Sequence, residues 1–339
     1  MEANEEQILS PYACLSKKSL GRQHPEPECD IRVAFQRDRD RIIHCKAFRR
    51  LKYKTQVFLA PAGDHYRTRL THVFEVSQIA RTIAVALKLN GHLTEAIALA
   101  HDLGHTPFGH AGESVLNDLY PGGFRHHDQS LRIVDTLEKK GRGLNLTFEV
   151  RNGISMHSKG RREILPEDES ELPETMEGKV VRVADIIAYV NHDLDDAVRA
   201  GLIKQRQLPA YVFNKLGENN SERIGTMVKD IIYSTLDNGA GKLTMSRDIM
   251  SAISDLRSFL YENVYETNKV HKDFLKAMRV VRELYGYFLE NGLPKDQEAE
   301  EYKGSSDHRA VCDFVAGMTD RYALNLYKKI FLPERWAVM

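Results

Sequence analysis

Residues 101–113 bring several polar side chains of catalytic type into one short stretch, HDLGHTPFGHAGE. Three histidines and two acids fall within these 13 positions, and the glycines and the proline between them predict a tight turn joining two helices. A lone histidine is more often a hydrogen-bonded core residue, but packing alone gives no reason for this set. Imidazole and carboxylate groups together bind divalent ions and transfer protons, so the stretch predicts one or both of these chemistries.

Two other helical patterns supply side chains of the same kind. Over residues 68–89, apolar residues recur at three- and four-residue steps, and this pattern contains His72 with Arg69 about one turn earlier on the same face. A polar stripe with helical spacing runs along residues 177–200 and consists of Asp185, Tyr189, His192, Asp193 and Asp196. We interpret Asp196 as part of a solvated face. Asp185 and Tyr189 have aliphatic neighbours in the sequence, which makes Asp185 a candidate ligand.

The candidate ligand set consists of two imidazoles and two carboxylates, from His72, His101, Asp102 and Asp185. Such a set suits a divalent ion of borderline hardness, such as Mn²⁺, Fe²⁺, Ni²⁺, Co²⁺ or Zn²⁺, and it tolerates Mg²⁺. Four protein ligands around an octahedral ion leave positions for water and a phosphoryl oxygen. We therefore expect one divalent metal ion per chain, and the sequence does not assign its identity.

These residues resemble the H…HD…D signature of the HD-domain metal-dependent phosphohydrolases. More narrowly, the chain is similar to the bacterial dGTP triphosphohydrolase (dGTPase-like) family. The matching blocks are RTRLTH (67–72), HDLGHTPFGHAGE (101–113), FRHHDQS (124–130), MHSKG (156–160), ADIIAYVNHDLDDAVRAG (184–201) and DFVAGMTDRYA (313–323). Six separated blocks in order span nearly the whole chain, so the resemblance is specific.

The resemblance implies a hydrolase that converts a deoxynucleoside triphosphate to a deoxynucleoside and tripolyphosphate. The residues that match the family's metal ligands are His72, His101, Asp102 and Asp185. His110 and Glu113 match a catalytic His–acid pair, and their i,i+3 spacing independently permits the carboxylate to orient the imidazole. Substrate contacts are implied for Arg69, His105 and His126 near the phosphates, and for Gln56, Tyr189 and Asp193 around the deoxyribose.

The resemblance also implies a homo-oligomer, with hexamers common in the family, while a nucleotide effector site is left open. The stretch between the HD doublet and Asp185 lacks the long insertion of larger members, so no preferred base is implied. Two other functions remain alternatives. His126, His127 and His157 lie where binuclear HD phosphodiesterases or nucleotidases place extra ligands. A catalytically silent nucleotide sensor is the other alternative, although no expected ligand is missing.

Helical periodicity dominates the chain and strand-like alternation is almost absent, which predicts an all-α fold. Helices are expected over 37–54, 68–89, 94–103, 110–120, 128–140, 145–157, 177–200, 222–236, 246–264, 267–290 and 308–331, with surface loops over 158–177 and 291–307. With the resemblance, this indicates an HD-domain helical bundle with an additional helical C-terminal region. The expected parts are an N-terminal segment (1–60) packing on the core, an HD catalytic core (61–205) and a C-terminal region (206–339), together forming one globular unit.

The charge balance limits the expected partners. Lys and Arg number 48, as do Asp and Glu, so nucleic acid and membrane surfaces are not indicated as partners. The four cysteines contain no C-x-x-C pair, no apolar run approaches a membrane span, and the N-terminus lacks a signal-peptide layout. We therefore expect a cytoplasmic protein. The basic stretch 32–54, like Lys159, Arg161 and Arg162, is interpretable as a route for an anionic ligand or as a solvated face.

Overall fold

The architecture is a bundle of α-helices, as the periodicity predicts. The computed structural model describes residues 2–56, 67–158, 163–294 and 307–333, and within these ranges the regular structure is helical, without a β-strand. The first half contains α1 (Glu2–Ile8), α2 (Ala34–Ile43), α3 (Lys46–Arg50), α4 (Arg69–Ala86), α5 (Gly91–Ala100), α6 (His110–Leu119), α7 (His126–Arg132), the short turn α8 (Glu138–Gly141) and α9 (Phe148–Met156). The second half contains α10 (Met176–Arg199), α11 (Ala210–Leu216), α12 (Asn220–Asp237), α13 (Arg247–Leu260), α14 (Asn268–Asn291), α15 (Asp307–Gly317) and α16 (Asp320–Phe331).

Helix α10 lies at the centre of the bundle. It packs against α4, α5, α9, α12 and α13, and most of its residues are buried on all sides. A helix with so little exposed surface must satisfy its polar side chains inside the protein. The polar stripe predicted for this helix therefore faces other helices rather than solvent. Asp196 is buried and pairs with Arg67 at 2.9 Å, so its interpretation as a solvated residue is wrong.

The predicted helices are present, but some of them are divided. The 37–54 pattern contains α2 and α3, separated at His44–Cys45, where the Cys45 sulfur caps α3 by accepting the N–H of Phe48 at 3.3 Å. The 308–331 pattern contains α15 and α16, because Thr319 caps α16 through a hydrogen bond from the Tyr322 N–H at 3.2 Å. Two π-helical segments, Ile133–Leu137 and Tyr261–Tyr265, continue α7 and α13. Helices α1 and α11 were not predicted.

The turn after α5 is held by close backbone packing. A Cβ atom at Gly104 would lie closer than 3.0 Å to the backbone nitrogen of Ser130 and the carbonyl oxygen of His126. Only glycine allows α7 to approach the turn this closely. Phe108 and Gly109 then have positive φ angles of 61° and 57°, which redirect the chain into α6. This geometry brings the N-termini of α6 and α7 next to the end of α5.

Segments from both ends of the chain contact the core. Glu177, on α10, accepts hydrogen bonds from the backbone N–H groups of Cys14 at 3.0 Å and Asn90 at 2.8 Å. Asp320, on α16, accepts the N–H groups of Thr55 and Phe108, each at 2.9 Å. These bonds cross the boundaries drawn from the sequence at 60/61 and 205/206, and the division into three parts stays a prediction.

The basic stretch 32–54 is largely occupied by ion pairs. Arg39 pairs with Asp40 at 2.8 Å and Arg41 with Glu26 at 2.7 Å. Lys54 is buried and donates to the carbonyl oxygens of His105 and Ala316, so it contributes to the packing of the HD turn. Lys159, Arg161 and Arg162 lie outside the described residues. Within the described ranges, no helix combines the length and apolar character that crossing a membrane requires.

Candidate metal centre and active site

Four predicted ligands converge between three elements of the bundle. His72 projects from α4, His101 and Asp102 follow α5, and Asp185 projects from α10. The Nε2 atom of His72 lies 3.3 Å from Asp185 Oδ1 and 3.7 Å from Asp102 Oδ2, and His101 Nε2 lies 3.9 Å from Asp185 Oδ1 and 3.6 Å from Asp102 Oδ1. Ligand atoms that share one ion at about 2.1 Å are separated by comparable distances.

The hydrogen bonding of His101 leaves a nitrogen for a cation. Its Nδ1 atom lies 2.7 Å from the carbonyl oxygen of Ala98, which can only accept, so Nδ1 carries the proton. In the neutral ring, the Nε2 atom then carries the lone pair. It is buried and has no hydrogen-bond partner among the described residues. An unpaired acceptor facing two carboxylates fits a divalent cation, since a cation would satisfy all three groups.

Electrostatics favour the metal-binding protonation states of Asp102 and His72. Burial raises the pKa of Asp102, but neighbouring positive charge, including the guanidinium of Arg69, outweighs it and holds that pKa well below its usual value. Burial lowers the pKa of His72, which favours the neutral imidazole. An ionised carboxylate and neutral imidazoles are the forms that bind metals.

Arg69 lies beside this cluster, on the first turn of α4. Its Nη1 donates to Asp102 Oδ2 at 2.7 Å, and its Nη2 donates to the backbone oxygen of Gln56 at 3.4 Å. The side-chain oxygen of Gln56 and the Nε of Arg69 are buried without hydrogen-bond partners among the described residues. Both side chains therefore retain capacity to bind a polar ligand next to the metal ligands.

A second group surrounds Glu113 at the start of α6. Glu113 Oε1 accepts the backbone N–H of His126 at 2.8 Å and lies 2.9 Å from His126 Nδ1, while Oε2 lies 3.3 Å from His110 Nδ1. His126 is buried, whereas the side chain of His110 is 75% exposed. Burial by itself would lower the pKa of His126, but the Glu113 carboxylate raises it overall. The sequence paired Glu113 with His110 alone, and the structure makes His126 its closer partner.

His105 connects the two groups. Its Nε2 atom lies 3.4 Å from Asp102 Oδ1, and its ring stacks on that of His126 with centroids 4.1 Å apart and planes inclined by 14°. Ligand atoms of Asp102, His105 and His126 all lie within 4.8 Å of one another, a spacing that could hold a second cation. The same two nearly parallel rings could instead bind neighbouring oxygens of one anion through their N–H groups.

The remaining predicted substrate residues line the same side of α10. Tyr189 is partly exposed, and its hydroxyl interacts with the guanidinium group of Arg257 on α13. Asp193 is buried and accepts a hydrogen bond from the hydroxyl of Tyr265, which belongs to the π-helical segment after α13. The C-terminal half of the chain thus contributes side chains to the site.

Sequence reasoning missed three residues that position this site. His192 contacts His72 directly, with its Nε2 atom 2.8 Å from His72 Nδ1. Tyr265 bonds Asp193, and Asp320 fixes the backbone at Thr55 and Phe108. The polar stripe on α10 already contained His192, and Asp320 lies in the DFVAGMTDRYA block. No periodicity or motif distinguished Tyr265.

Comparisons with known proteins agree with this geometry. Residues 69–190 match the family model of the HD domain, and residues 243–329 match that of the phosphohydrolase-associated domain. The chain is 53% identical to the deoxyguanosinetriphosphate triphosphohydrolase-like protein of Desulfatibacillum aliphaticivorans, over 98% of this chain and 97% of that protein. Proteins with the same description are 55% identical in Caldanaerobacter subterraneus subsp. tengcongensis, over 99% and 96% of the two chains, and 42% identical in Geobacter sulfurreducens, over 98% and 97%.

Proposed function

Because the chain belongs to the deoxyguanosinetriphosphate triphosphohydrolase-like family of HD-domain hydrolases, we propose that it cleaves deoxynucleoside triphosphates to a deoxynucleoside and tripolyphosphate. The coarser activity, metal-dependent phosphohydrolysis, follows from the family. The specific substrate, the products and the roles of individual residues are our proposal. We further propose one divalent ion per chain, held by His72, His101, Asp102 and Asp185.

The observation that carries this proposal is the convergence of those four side chains, together with the unpaired Nε2 of His101. A bound divalent ion supplies Lewis-acid polarisation of a phosphoryl oxygen and makes nearby water more acidic. The stacked His105 and His126 rings lie beside this set, and we assign them to phosphate oxygens rather than to a second cation.

Arg69 is proposed to bind the triphosphate. Its guanidinium is anchored to Asp102, and its buried Nε has no hydrogen-bond partner among the described residues. A planar guanidinium with a free donor suits bidentate contact with phosphate oxygens. His105 and His126 lie close enough to bind the same phosphate chain.

In the proposed hydrolysis, water attacks the α-phosphorus and the bond from that phosphorus to the 5′-oxygen breaks. The attacking water loses a proton, the 5′-oxygen of the departing deoxynucleoside gains one, and tripolyphosphate retains the new oxygen. His110, oriented by Glu113, is proposed to assist proton transfer. The Glu113 carboxylate also holds His126, which gives the site a second imidazole for the same task.

Discrimination against ribonucleotides is assigned to Tyr189, with Asp193 and Gln56 binding the 3′-hydroxyl. Tyr189 is the partly exposed aromatic ring on α10, one turn from Asp193. A ring packed against C2′ would leave no room for a 2′-hydroxyl. Comparable turnover of GTP and dGTP would contradict this assignment.

The function is tested by incubating the purified chain with each of the four dNTPs and with Mn²⁺ or Mg²⁺, and identifying both the nucleoside and the phosphate product by chromatography. We expect tripolyphosphate and the deoxynucleoside, and we expect Asp102→Asn to lose both metal and activity. Pyrophosphate or orthophosphate as the first product would contradict the proposed cleavage. Two tightly bound ions per chain with phosphodiester cleavage would favour a binuclear phosphodiesterase, and nucleotide binding without turnover would favour a sensor.

We also propose a homo-oligomer, because the resemblance described above implies one. Light scattering coupled to size-exclusion chromatography gives the mass directly. A monomer across the micromolar range, with full activity, would exclude assembly as a requirement for catalysis. A change in mass on adding a nucleotide would support an effector site.

A further inference from the structure

A chain of buried polar groups connects a predicted metal ligand to a predicted sugar-binding carboxylate. His72 Nδ1 lies 2.8 Å from His192 Nε2, and His192 Nδ1 lies 2.7 Å from Asp193 Oδ1. All three residues are almost completely buried, at 1%, 2% and 3% exposure respectively. The second contact is close but is not aligned as a hydrogen bond, so it is chiefly electrostatic. The other oxygen of Asp193 accepts the hydroxyl of Tyr265.

The Asp193 carboxylate decides which nitrogen of His192 carries the proton. The Nδ1 atom of His192 lies 2.7 Å from the negative oxygen of Asp193, so electrostatics favour a proton over a lone pair on this nitrogen even though the contact is not aligned as a hydrogen bond. Neutral His192 is therefore protonated on Nδ1, and its Nε2 accepts the proton of His72 Nδ1. His72 is left with an unprotonated Nε2, the atom that lies 3.3 Å from Asp185.

We infer that His192 is a positioning residue that orients His72 for metal binding and makes metal affinity depend on Asp193. His101 has its Nδ1 held by a backbone carbonyl, whereas among the described residues the partner of His72 Nδ1 is the His192 ring. A carboxylate that binds the outer nitrogen of a metal-ligating imidazole fixes its tautomer and raises its basicity. Here a second imidazole transmits that effect from Asp193 to His72.

The inference deepens the proposed function, on which it rests for the identity of the metal ligands and of the sugar-binding carboxylate. It gives Asp193 a second role, because the same carboxylate would contact the deoxyribose and act on the metal ligand. A second carboxylate also lies near this chain of groups. Asp196, one turn further along α10, is paired with Arg67 at 2.9 Å and interacts electrostatically with both His192 and Asp193.

The test measures Mn²⁺ affinity without nucleotide, by the electron paramagnetic resonance signal of free Mn²⁺. His192→Phe keeps a planar ring but removes the acceptor, and we expect a dissociation constant raised about 10- to 100-fold. His192→Gln places an amide group near the position of Nε2, and we expect it to retain most of the affinity. The matched control is His92→Phe, since His92 bonds Gln36 at 3.0 Å away from the site and should bind Mn²⁺ like the parent.

Parental affinity in His192→Phe would overturn the inference, and so would an equal loss in the Phe and Gln variants, because then the acceptor would not matter. Asp193→Asn should also weaken Mn²⁺ binding in the absence of nucleotide, whereas a residue that acts on the sugar alone would leave it unchanged. These readouts do not depend on turnover, so they remain decisive if the chain does not hydrolyse dNTPs.

A spectroscopic measurement on the unmodified chain covers the case in which His192→Phe does not fold. The protein is labelled with ¹⁵N-histidine and loaded with Zn²⁺, and long-range ¹H–¹⁵N correlations identify the protonated nitrogen of each ring. We expect His192 to be protonated on Nδ1 alone. Protonation on Nε2 would contradict the relay, because His192 could not then accept from His72.

Discussion

Glu113 Oε1 accepts the backbone N–H of His126 at 2.8 Å and also lies within hydrogen-bond distance of His126 Nδ1, at 2.9 Å. One carboxylate oxygen thus fixes both the start of α7 and the orientation of the imidazole that begins this helix. The other oxygen lies 3.3 Å from His110. Burial alone would raise the pKa of Glu113, but His126 and His110 hold it far below its usual range, so the carboxylate stays ionised at neutral pH.

The proton-transfer role is tested by His110→Ala. This side chain is largely exposed and does not contact the four predicted metal ligands, so Mn²⁺ affinity should stay at the parental value. Loss of a positioned acid–base group should lower kcat about 10²- to 10⁴-fold. Steady-state kinetics with saturating Mn²⁺ give the answer. Near-parental kcat would assign the role to another group, and His126→Ala would then be the variant to compare.

The glycine at the HD turn is predicted to be essential for stability. Gly104→Ala would place a Cβ atom closer than 3.0 Å to backbone atoms of His126 and Ser130, which cannot move without shifting α7. We expect a loss of about 1–3 kcal/mol in the free energy of unfolding, measured by urea denaturation.

The matched control for this substitution is Gly91→Ala, because among the described residues nothing outside the adjoining residues and its own helix backbone lies within 4 Å of a Cβ at Gly91. Gly91 is the first residue of α5, where alanine is tolerated, and we expect parental stability or a small gain. If Gly104→Ala and Gly91→Ala unfold at the same urea concentration, close packing at the turn is not what requires glycine.

Asp320 is predicted to connect the C-terminal region to the active site. Its two oxygens accept the N–H groups of Thr55 and Phe108 and the hydroxyl of Thr55, so Asp320→Ala removes the acceptor of three donors. We expect the free energy of unfolding to fall by about 1–3 kcal/mol, and kcat/KM to fall as well, because Gln56 and the HD turn lose their anchor. Asp255→Ala, an exposed acid on α13, is the control. If folded Asp320→Ala has an unchanged kcat/KM, the C-terminal region does not position the active site through Asp320.

Glu177 should make stability depend on pH. Burial raises the pKa of this fully buried carboxyl group from its usual 4.5 to about 7. The unfolded chain then ionises before the folded chain does, so the free energy of unfolding falls as pH rises from about 4.5 to about 7.

Glu177→Gln removes this titration and keeps an oxygen that can accept the N–H groups of Cys14 and Asn90. We expect the variant to be more stable than the parent at pH 8, by about 1–3 kcal/mol, and the difference to shrink toward pH 5. Urea denaturation at the two pH values measures it. A difference that does not change with pH would show that the carboxyl group does not titrate in this window.

Most residues of the candidate site could be identified from the sequence, but the contacts between them could not. The HD doublet, His72 and Asp185 were identifiable because imidazoles and carboxylates stood on otherwise apolar helices. Spacing along α10 placed His192 on the same stripe, yet spacing cannot reveal that its ring meets a histidine of α4. Asp196 was misjudged for the same reason, since its partner Arg67 is distant in sequence. Tyr265 reaches Asp193 across 72 residues, a contact that only the folded chain reveals.

Local sequence signals were sufficient to predict which segments are helical, but they were less reliable for the residues at which helices begin and end. The Thr319–Asp320 pair carries a recognisable start signal that divides the long 308–331 pattern into α15 and α16. The break at Cys45 had no comparable signal, because a cysteine sulfur is an unusual cap. Helices shorter than two turns, such as α11, depend on tertiary packing more than on their own periodicity.

The position of the metal tests the central claim most directly. Anomalous diffraction from crystals of the Mn²⁺-loaded protein locates the ion without assuming an activity. We expect one strong peak per chain, about 2.2 Å from the nearest nitrogen or oxygen of each of His72, His101, Asp102 and Asp185. The absence of a peak among these four side chains, or a main peak between His105 and His126, would contradict it.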